Sequence, residues 1–465
     1  MKNELNKKID NLMILAQSSK EQGNLRNALN YFKKILKLDS NNKRALNNAG
    51  NTCKEMQKFD EAISYYTKAI NIDQGYIIAK INLAILHHDL GNLDKAEDLY
   101  KKMILLDKYN FAIYFNLSRI NFEYFDEDKI GFIKNSINNE NISDYNKASA
   151  YFILAKHEQM KKNFDKEIKF LDKGHRYLRK SFRPKVYEQS LNYWLKIIPK
   201  KFDKIEISNL EKIEKKDIGI NPIFIIGMPR SGSTLVESII SSGELTIPNG
   251  GETATINWAL LKNYRKDLFN KDMNKINIDL KKLRNDIIDK YQNLNLLDKN
   301  KKNFFTDKSL ENFFYIDTIL KLFPNAKFIH CKRNKIDNIF AIYQNFFTKM
   351  SWTYSMNDII IYFNNYLDVM NYYNEKFKNK IFLVELENLT TSSEEITKKL
   401  FEFCKLEWSE KCLEYHKRRD LFSTTASNIQ IREKIYKYNS TKYDVYRNHL
   451  KQFEQEYSWL KKDLL

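Results

Sequence analysis

The chain is short of cysteine: Cys53, Cys331, Cys404 and Cys412 are all it has in 465 residues. They are scattered, with no pair at metal-ligand spacing, so a reducing compartment fits and no metal site is expected. No apolar run approaches membrane-spanning length. Met1 to Lys8 is polar where a secretory leader would be apolar. The expectation is a cytoplasmic protein with no membrane span. Acidic charge is also in deficit. Lys and Arg number 78 against 59 Asp and Glu, leaving a formal net charge of +19. The basic residues are spread through a composition rich in Lys, Asn and Ile, and no nucleic-acid reader motif accompanies them. A solvated basic surface is expected, not a nucleic acid partner.

The length allows two or three domains with sizeable cores. The N-terminal part repeats itself. Ala28, Ala62 and Ala96 recur at a spacing of 34, each followed four residues later by an aromatic, Phe32, Tyr66 and Tyr100. Ala16, Gly50 and Ala84 keep the same period twelve positions earlier. Small residues let paired helices approach, a turn such as that at Gly91 ends the first helix, and the aromatic fills the gap beside its neighbour. This pattern resembles the tetratricopeptide repeat, with three copies over about residues 9 to 110. Around Ala155 and Asn163 to Ile168 the pattern returns in degenerate form, with Glu167 where the small residue belongs. Further helix pairs that cap the solenoid are expected there. The charged stretch from Lys200 to Asp217 reads as a linker or bridging helix. The expected division is 1–110 repeats, 111–215 degenerate helical repeats and linker, and 216–465 a second domain. A solenoid of this kind can hold a peptide; the alternative is that the repeats only pack on the second half.

The second half is organised around Asn221 to Leu235. An apolar run, Ile223 to Ile226, reads as a buried strand. Gly227, Pro229 and Gly232 force a turn, and Ser233 onward has helical apolar spacing. Backbone N–H groups at such a helix start favour an anion. Ser231, Ser233 and Thr234 add hydroxyl donors and Arg230 a fixed cation. The glycine spacing is that of a nucleotide-triphosphate loop, but Ser233 stands where its Lys would be. That argues against a P-loop kinase, the rival enzyme class.

The run Pro-Arg-Ser-Gly-Ser-Thr-Leu resembles the 5′-phosphosulfate loop of sulfotransferases that use 3′-phosphoadenosine 5′-phosphosulfate, and the chain is similar to their tyrosylprotein-type branch. The resemblance covers about residues 220 to 445. It implies an α/β P-loop-type parallel-sheet domain after the α-solenoid, with 3′-phosphoadenosine 5′-phosphosulfate as co-substrate and no metal. Gly250-Gly251-Glu252 matches the branch's Gly-Glu, making Glu252 the general base, with Glu244 as competing choice. Thr306-Asp307-Lys308 and Asn312 match its Asp-Lys-x-x-x-Asn segment. There Lys308 stabilises charge on the bridging oxygen and Asn312 fixes the turn.

Arg333, at the end of a second strand, matches the Arg that holds the 3′-phosphate. Its usual Ser partner is Ala341, and Asn334-Lys335 replace the usual Asp-Pro. One lost charge-assisted hydrogen bond costs roughly 1.5–3 kcal/mol unless Lys332, Lys335 or Tyr343 compensates. A helix from Ile336 to Phe347 is expected to follow that strand, and His330 is expected to be packed, not a base. The run Lys380 to Leu389 reads as a strand, with Leu386 replacing an adenine-side Tyr. Ser427 and Gln430 match a Ser-x-x-Gln segment that folds over the donor, with Arg432, Lys434 and Lys437 as further phosphate contacts. Tyr443 and Tyr446 are expected to pack closing helices.

The implied reaction is sulfuryl transfer to an acceptor hydroxyl, and the tyrosylprotein-type resemblance implies a protein or peptide tyrosine. A carbohydrate or lipid acceptor, or a peptide-binding scaffold with an inactive donor site, are the alternatives.

Overall fold

The computed structural model describes residues 2–208, 219–270, 275–297, 303–418, 421–425, 427–439 and 441–464. The chain forms two compact units, one of Met1–Lys108, Arg284–Asn303 and Arg419–Phe422, the other of Tyr109–Leu283, Phe304–Arg418 and Ser423–Leu465.

The first unit contains α1 (Lys2–Glu21), α2 (Leu25–Leu38), α3 (Lys43–Glu55), α4 (Phe59–Ile72), α5 (Ile77–Asp89) and α6 (Leu93–Leu106). They pack as pairs α1 with α2, α3 with α4 and α5 with α6, and α2 meets α3 as α4 meets α5. The predicted period falls on the packed positions. Ala28, Ala62, Ala96, Ala16 and Ala84 are fully buried, as are Tyr66 and Tyr100. The need for a small residue is steric: a Cβ on Gly50 would stand 2.5 Å from Tyr66 Cε1. Asn24 and Asn42 cap α2 and α3 by accepting from Asn27 N and Ala45 N. Residues from later in the chain join this core. Leu294 and Phe422 pack against it, and the Phe422 ring lies 4.5 Å from that of Phe59.

The second unit opens with helices: α7 (Phe111–Ser118), α8 (Glu127–Ser136), α9 (Asp144–Met160), α10 (Phe164–Lys180) and α11 (Pro184–Asn192). Then come β1 (Ile205–Ser208), β2 (Ile220–Gly227), α12 (Ser233–Ile240), α13 (Thr255–Phe269), β3 (Ile276–Asp279), α14 (Leu280–Asn293), which from Arg284 on belongs to the first unit, β4 (Asn303–Asp307), α15 (Ile316–Leu322), β5 (Lys327–Lys332) and α16 (Lys335–Tyr343). The last elements are α17 (Met356–Lys376), β6 (Ile381–Glu385), α18 (Leu386–Thr391), α19 (Ser393–Cys404) and α20 (Ser458–Leu464). The main sheet has the order β4-β2-β5-β6. β2 pairs in parallel with β5, Phe224 opposite Phe328, and β5 with β6, Ile329 opposite Phe382. β2 is buried along nearly its whole length, as a central parallel strand covered on both faces must be. The architecture is a helical repeat region followed by a parallel-sheet α/β domain.

Three local expectations change. The charged stretch after Lys200 contains β1, paired in parallel with β3, because Ile205 and Ile207 alternate with polar residues. The rest of that predicted linker, residues 209–218, lies outside the described residues. The helix after Arg333 ends at Tyr343 rather than Phe347, and Asn345 Nδ2 donates to Ala341 O at 2.6 Å. The strand from Ile381 gives way to α18 at Leu386, so Leu386 begins a helix.

Candidate functional site

The loop from Gly227 to Gly232 joins β2 to α12 at the end of the strand. Gly227 has φ +138, and a Cβ there would meet Cys331 O at 2.4 Å. Only glycine allows β2 and β5 to close at this point. Gly232 caps α12 with φ +87, and a Cβ there would stand 2.7 Å from Leu386 Cδ1. Arg230 is left-handed too, φ 67, without glycine's freedom, a strain that tends to sit at functional loops. The turn carries its guanidinium to the segment after Phe422. Arg230 Nη1 donates to Ser427 Oγ, and Nη2 to Gln430 Oε1 at 3.1 Å. Thr234 Oγ1 lies 3.2 Å from Thr425 Oγ1. Ser231 Oγ and Arg230 Nε are buried and have no hydrogen-bond partner among the described residues. An oxygen-rich anion in the loop would satisfy both.

A second cluster is built from β4, α12 and the Gly-rich loop. Lys308 N donates to Gly251 O at 2.8 Å and Gly250 N to Thr306 Oγ1 at 3.1 Å. Lys308 Nζ lies 3.1 Å from Glu252 Oε1 and 3.9 Å from Glu237 Oε2. Glu237 is buried, and its Oε1 accepts from Gly251 N at 2.9 Å and Thr306 Oγ1 at 2.8 Å. Burial alone would lower the Lys308 pKa, but Glu252 and Glu237 beside it leave it raised, so the ammonium stays charged. Asp307 Oδ1 accepts from Ser309 N and from Asn312 Nδ2, the latter at 3.3 Å, which fixes the turn after the strand. Burial pushes Glu311, in the same turn, up to about 7 against a backbone hydrogen bond that lowers it, with Asp307 and Glu252 adding to the rise.

Two cavities meet at the loop. One, of ≈ 160 Å³, is lined by Arg230, Gly232, Arg333, Ser427, Gln430 and Tyr443 among others. The other, of ≈ 300 Å³, is lined by Arg230, Gly232, Ser233, Thr234, Glu252 and Ser427 among others. Arg230, Gly232 and Ser427 thus belong to both.

Arg333 Nη1 donates to Arg230 O at 3.2 Å and Nε to Tyr438 Oη at 3.3 Å. Its guanidinium stands over the rings of Tyr438 and Tyr443, 5.1 and 5.2 Å from their centroids. Tyr443 therefore faces the smaller cavity as well as packing. Tyr446 is buried and donates to Glu167 Oε2 at 2.6 Å.

Of the side chains considered as replacements for the missing hydroxyl at Ala341, two are engaged elsewhere. Lys335 pairs with Asp463 at 2.7 Å and Tyr343 donates to Asp172. Asn334 caps α16 by accepting from Asp337 N. Leu386 and Lys434 line the smaller cavity; Lys437 and Arg432 are not among its lining residues. Arg432 Nη2 donates to Asn428 Oδ1 at 3.0 Å. Glu244 is an exposed acid paired with Lys411 at 2.9 Å. His330 is buried with Nε2 2.6 Å from Tyr366 Oη. Burial, aided by Lys332, depresses its pKa to about 3, so it is a neutral packing residue.

Glu237 and Glu311 are the acids that sequence reasoning passed over. Glu237 had one legible signal, a carboxylate within the short helix directly after the loop. Among the described residues no group of His, Cys, Asp and Glu is arranged to hold a metal ion, and no helix is long and apolar enough to cross a membrane.

Residues 222–410 match the sulfotransferase family, and residues 9–42 and 44–106 match tetratricopeptide repeats. The chain is 28% identical over 338 residues to an uncharacterised protein of Aquifex aeolicus (strain VF5), over 70% of this chain and 43% of that one. It therefore spans under half the length of that relative. Among solved structures, the sulfotransferase domain of the Synechococcus PCC 7002 olefin synthase aligns at 17% identity and a TM-score of 0.34, over 51% of this chain and 90% of that domain. Sulfotransferase STF1 from Mycobacterium tuberculosis H37Rv aligns at 11% identity and a TM-score of 0.27, over 63% and 92%. The family match gives residues 222–410 a sulfotransferase-like sequence.

Proposed function

We propose that the α/β domain transfers a sulfuryl group from 3′-phosphoadenosine 5′-phosphosulfate to an acceptor hydroxyl. The observation that carries this reading is the pair of cavities joined at Arg230 and Ser427, with Arg333 on one side and Glu252 on the other. The smaller cavity takes the nucleotide. Arg333, supported by Tyr438 and Tyr443, meets the 3′-phosphate. Ser231, Gly232, Ser233, Thr234 and the amides at the start of α12 meet the 5′-phosphosulfate. The orphaned Ser231 Oγ and Arg230 Nε fit such an anion.

In the larger cavity Glu252 takes the acceptor proton as the oxygen attacks sulfur. The bond from sulfur to the bridging oxygen breaks, and the bisphosphate leaves. Arg230 and Ser427 hold the sulfuryl oxygens, and Lys308 stabilises charge on the bridging oxygen. Lys308 is buried against Glu252, so it also positions the base. Gln430 steadies Arg230, and Arg432 steadies the covering segment through Asn428. A protein or peptide tyrosine is the proposed acceptor, with the repeats as the place where a peptide would be held.

A second reading, a peptide-binding scaffold with an inactive donor site, draws on the engagement of Lys335 and Tyr343 away from the missing hydroxyl at Ala341. Calorimetric titration with 3′-phosphoadenosine 5′-phosphate, with ATP as control, separates the two. Micromolar binding of the bisphosphate alone is expected; absence of binding would favour the scaffold. With binding in hand, Glu252→Gln should lower transfer by about 10²–10⁴-fold and leave the titration unchanged. Full activity in that variant would remove Glu252 as the base.

A further inference from the structure

The larger cavity is walled on one side by residues that precede the family-matched segment. Ala112, Phe115, Asn116 and Arg119 all line it. Their spacing, i, i+3, i+4 and i+7, is that of one face of α7, with Arg119 as its C-cap. This face is fixed within the same compact unit as the loop. Ala112 N donates to Asn146 Oδ1 at 2.9 Å. The Phe115 ring lies 4.9 Å from that of Phe346, which meets Tyr145 at 5.5 Å. Phe346 comes from the stretch released by the early end of α16.

The face joins apolar Ala112 and aromatic Phe115 to polar Asn116 and cationic Arg119. Arg119, Arg230 and Lys349 are cations of the lining, and Glu252 is its carboxylate, itself paired with Lys308. In the proposed reaction Arg230 serves the donor. Arg119 and Lys349 give the acceptor side a further positive field.

We propose that α7 selects the acceptor: Phe115 packs the flat apolar body of the hydroxyl compound, and Arg119, with Lys349, favours acceptors that carry a negative charge beside it. This rests on the sulfuryl-transfer reading of the site. It assigns acceptor selection to a helix outside the family-matched residues, whereas the donor loop and base lie within them. Selection of this kind is a difference between competing acceptors rather than raw affinity.

The test uses the full chain, labelled 3′-phosphoadenosine 5′-phosphosulfate, and three phenols of similar size: 4-hydroxyphenylacetate, 4-ethylphenol and tyramine. The ratio of kcat/KM between anionic and cationic phenol is independent of how much enzyme is folded. The wild-type protein should prefer 4-hydroxyphenylacetate over tyramine by about tenfold or more. Arg119→Gln should cut that ratio by at least about fivefold and Arg119→Lys should restore most of it. Phe115→Ala should raise KM for all three phenols. A ratio that Arg119→Gln leaves unchanged would overturn the proposal, as would transfer to none of the phenols by a protein that binds the bisphosphate. Failure to bind the bisphosphate at all would instead sink the functional reading on which it rests.

Discussion

At equivalent places in the helical pattern, α4 and α10 hold opposite kinds of residue. Ala62 of α4 is fully buried against its own repeat neighbours, as Ala28 and Ala96 are. Glu167 of α10 is buried as well, yet it is charged or polar by nature. Its carboxylate accepts from Tyr446 Oη at 2.6 Å, Gln344 Nε2 at 2.8 Å and Gln159 Nε2 at 2.9 Å. Ala155, twelve positions earlier, keeps the small residue of the pattern and is buried. One helix pair is built to stack on copies of itself, the other to be held by polar partners from β-domain elements and the C-terminal segment. His175 of α10 makes the same point, with Nε2 2.8 Å from Tyr343 O. What reads as decay of a repeat is a change of packing partner, and that change puts α7 to α10 in the unit that holds the candidate site.

The comparison can be broken by exchanging the two kinds of residue. Ala62→Glu puts an unpaired carboxylate into a closed helix interface and should cost about 4 kcal/mol or more, read as collapse of the urea midpoint of the repeat unit. Glu167→Ala should cost about 3 kcal/mol, because Tyr446 and Gln344 are then buried without their acceptor. If Glu167→Ala proves neutral, α10 is a degenerate repeat and nothing more.

A pH series sharpens the contrast. Burial depresses the His175 pKa to about 4 against the hydrogen bond to Tyr343 O that raises it. The unfolded chain binds this proton near the ordinary histidine value of 6.5 and the folded chain does not. His175 therefore stabilises the fold fully above that value, and the contribution is lost as pH falls toward 4. Between pH 7 and 5 the loss should be on the order of 2 kcal/mol, in urea midpoints that His175→Gln flattens. Glu167, whose pKa is raised chiefly by burial, works the opposite way. Its stabilisation is greatest at low pH and fades as pH rises, so a Glu167→Gln background should steepen the acid-side slope. The smallest effect belongs to the repeat surface. Lys102 pairs with Asp98 at 2.8 Å with both side chains largely exposed, and Lys102→Ala should shift stability by no more than about 0.5 kcal/mol.

Much of this was legible before any coordinates. The repeat period announced the helix pairs, because burial of a small residue and a following aromatic is imposed locally, within one turn of the chain pattern. The strand-loop-helix at Gly227 was equally plain, since its glycines answer to backbone conformation. Glu252 next to Lys308, Arg230 against Ser427 and Gln430, and Asn312 on Asp307 were named from motif resemblance and do lie together. Glu237, by contrast, looked like one more residue of a helix. Its use as the acceptor for Gly251 and Thr306 depends on a loop 14 residues on and a strand 69 residues on. Arg432 and Lys437 were named from charge and position, and in the folded chain they are not among the lining of the smaller cavity.

The sequence by itself determined the two architectures, the repeat register and the loop that can hold an anion, because periodicity and glycine placement act over a few residues. Tertiary structure alone decided the rest. It released Phe346 toward Phe115, turned one stripe of α7 into a cavity wall, and buried Glu167 among Tyr446, Gln344 and Gln159. Glu167 stands 177 positions from Gln344 and 279 from Tyr446, and nothing in local propensity reports which distant group will satisfy a buried charge.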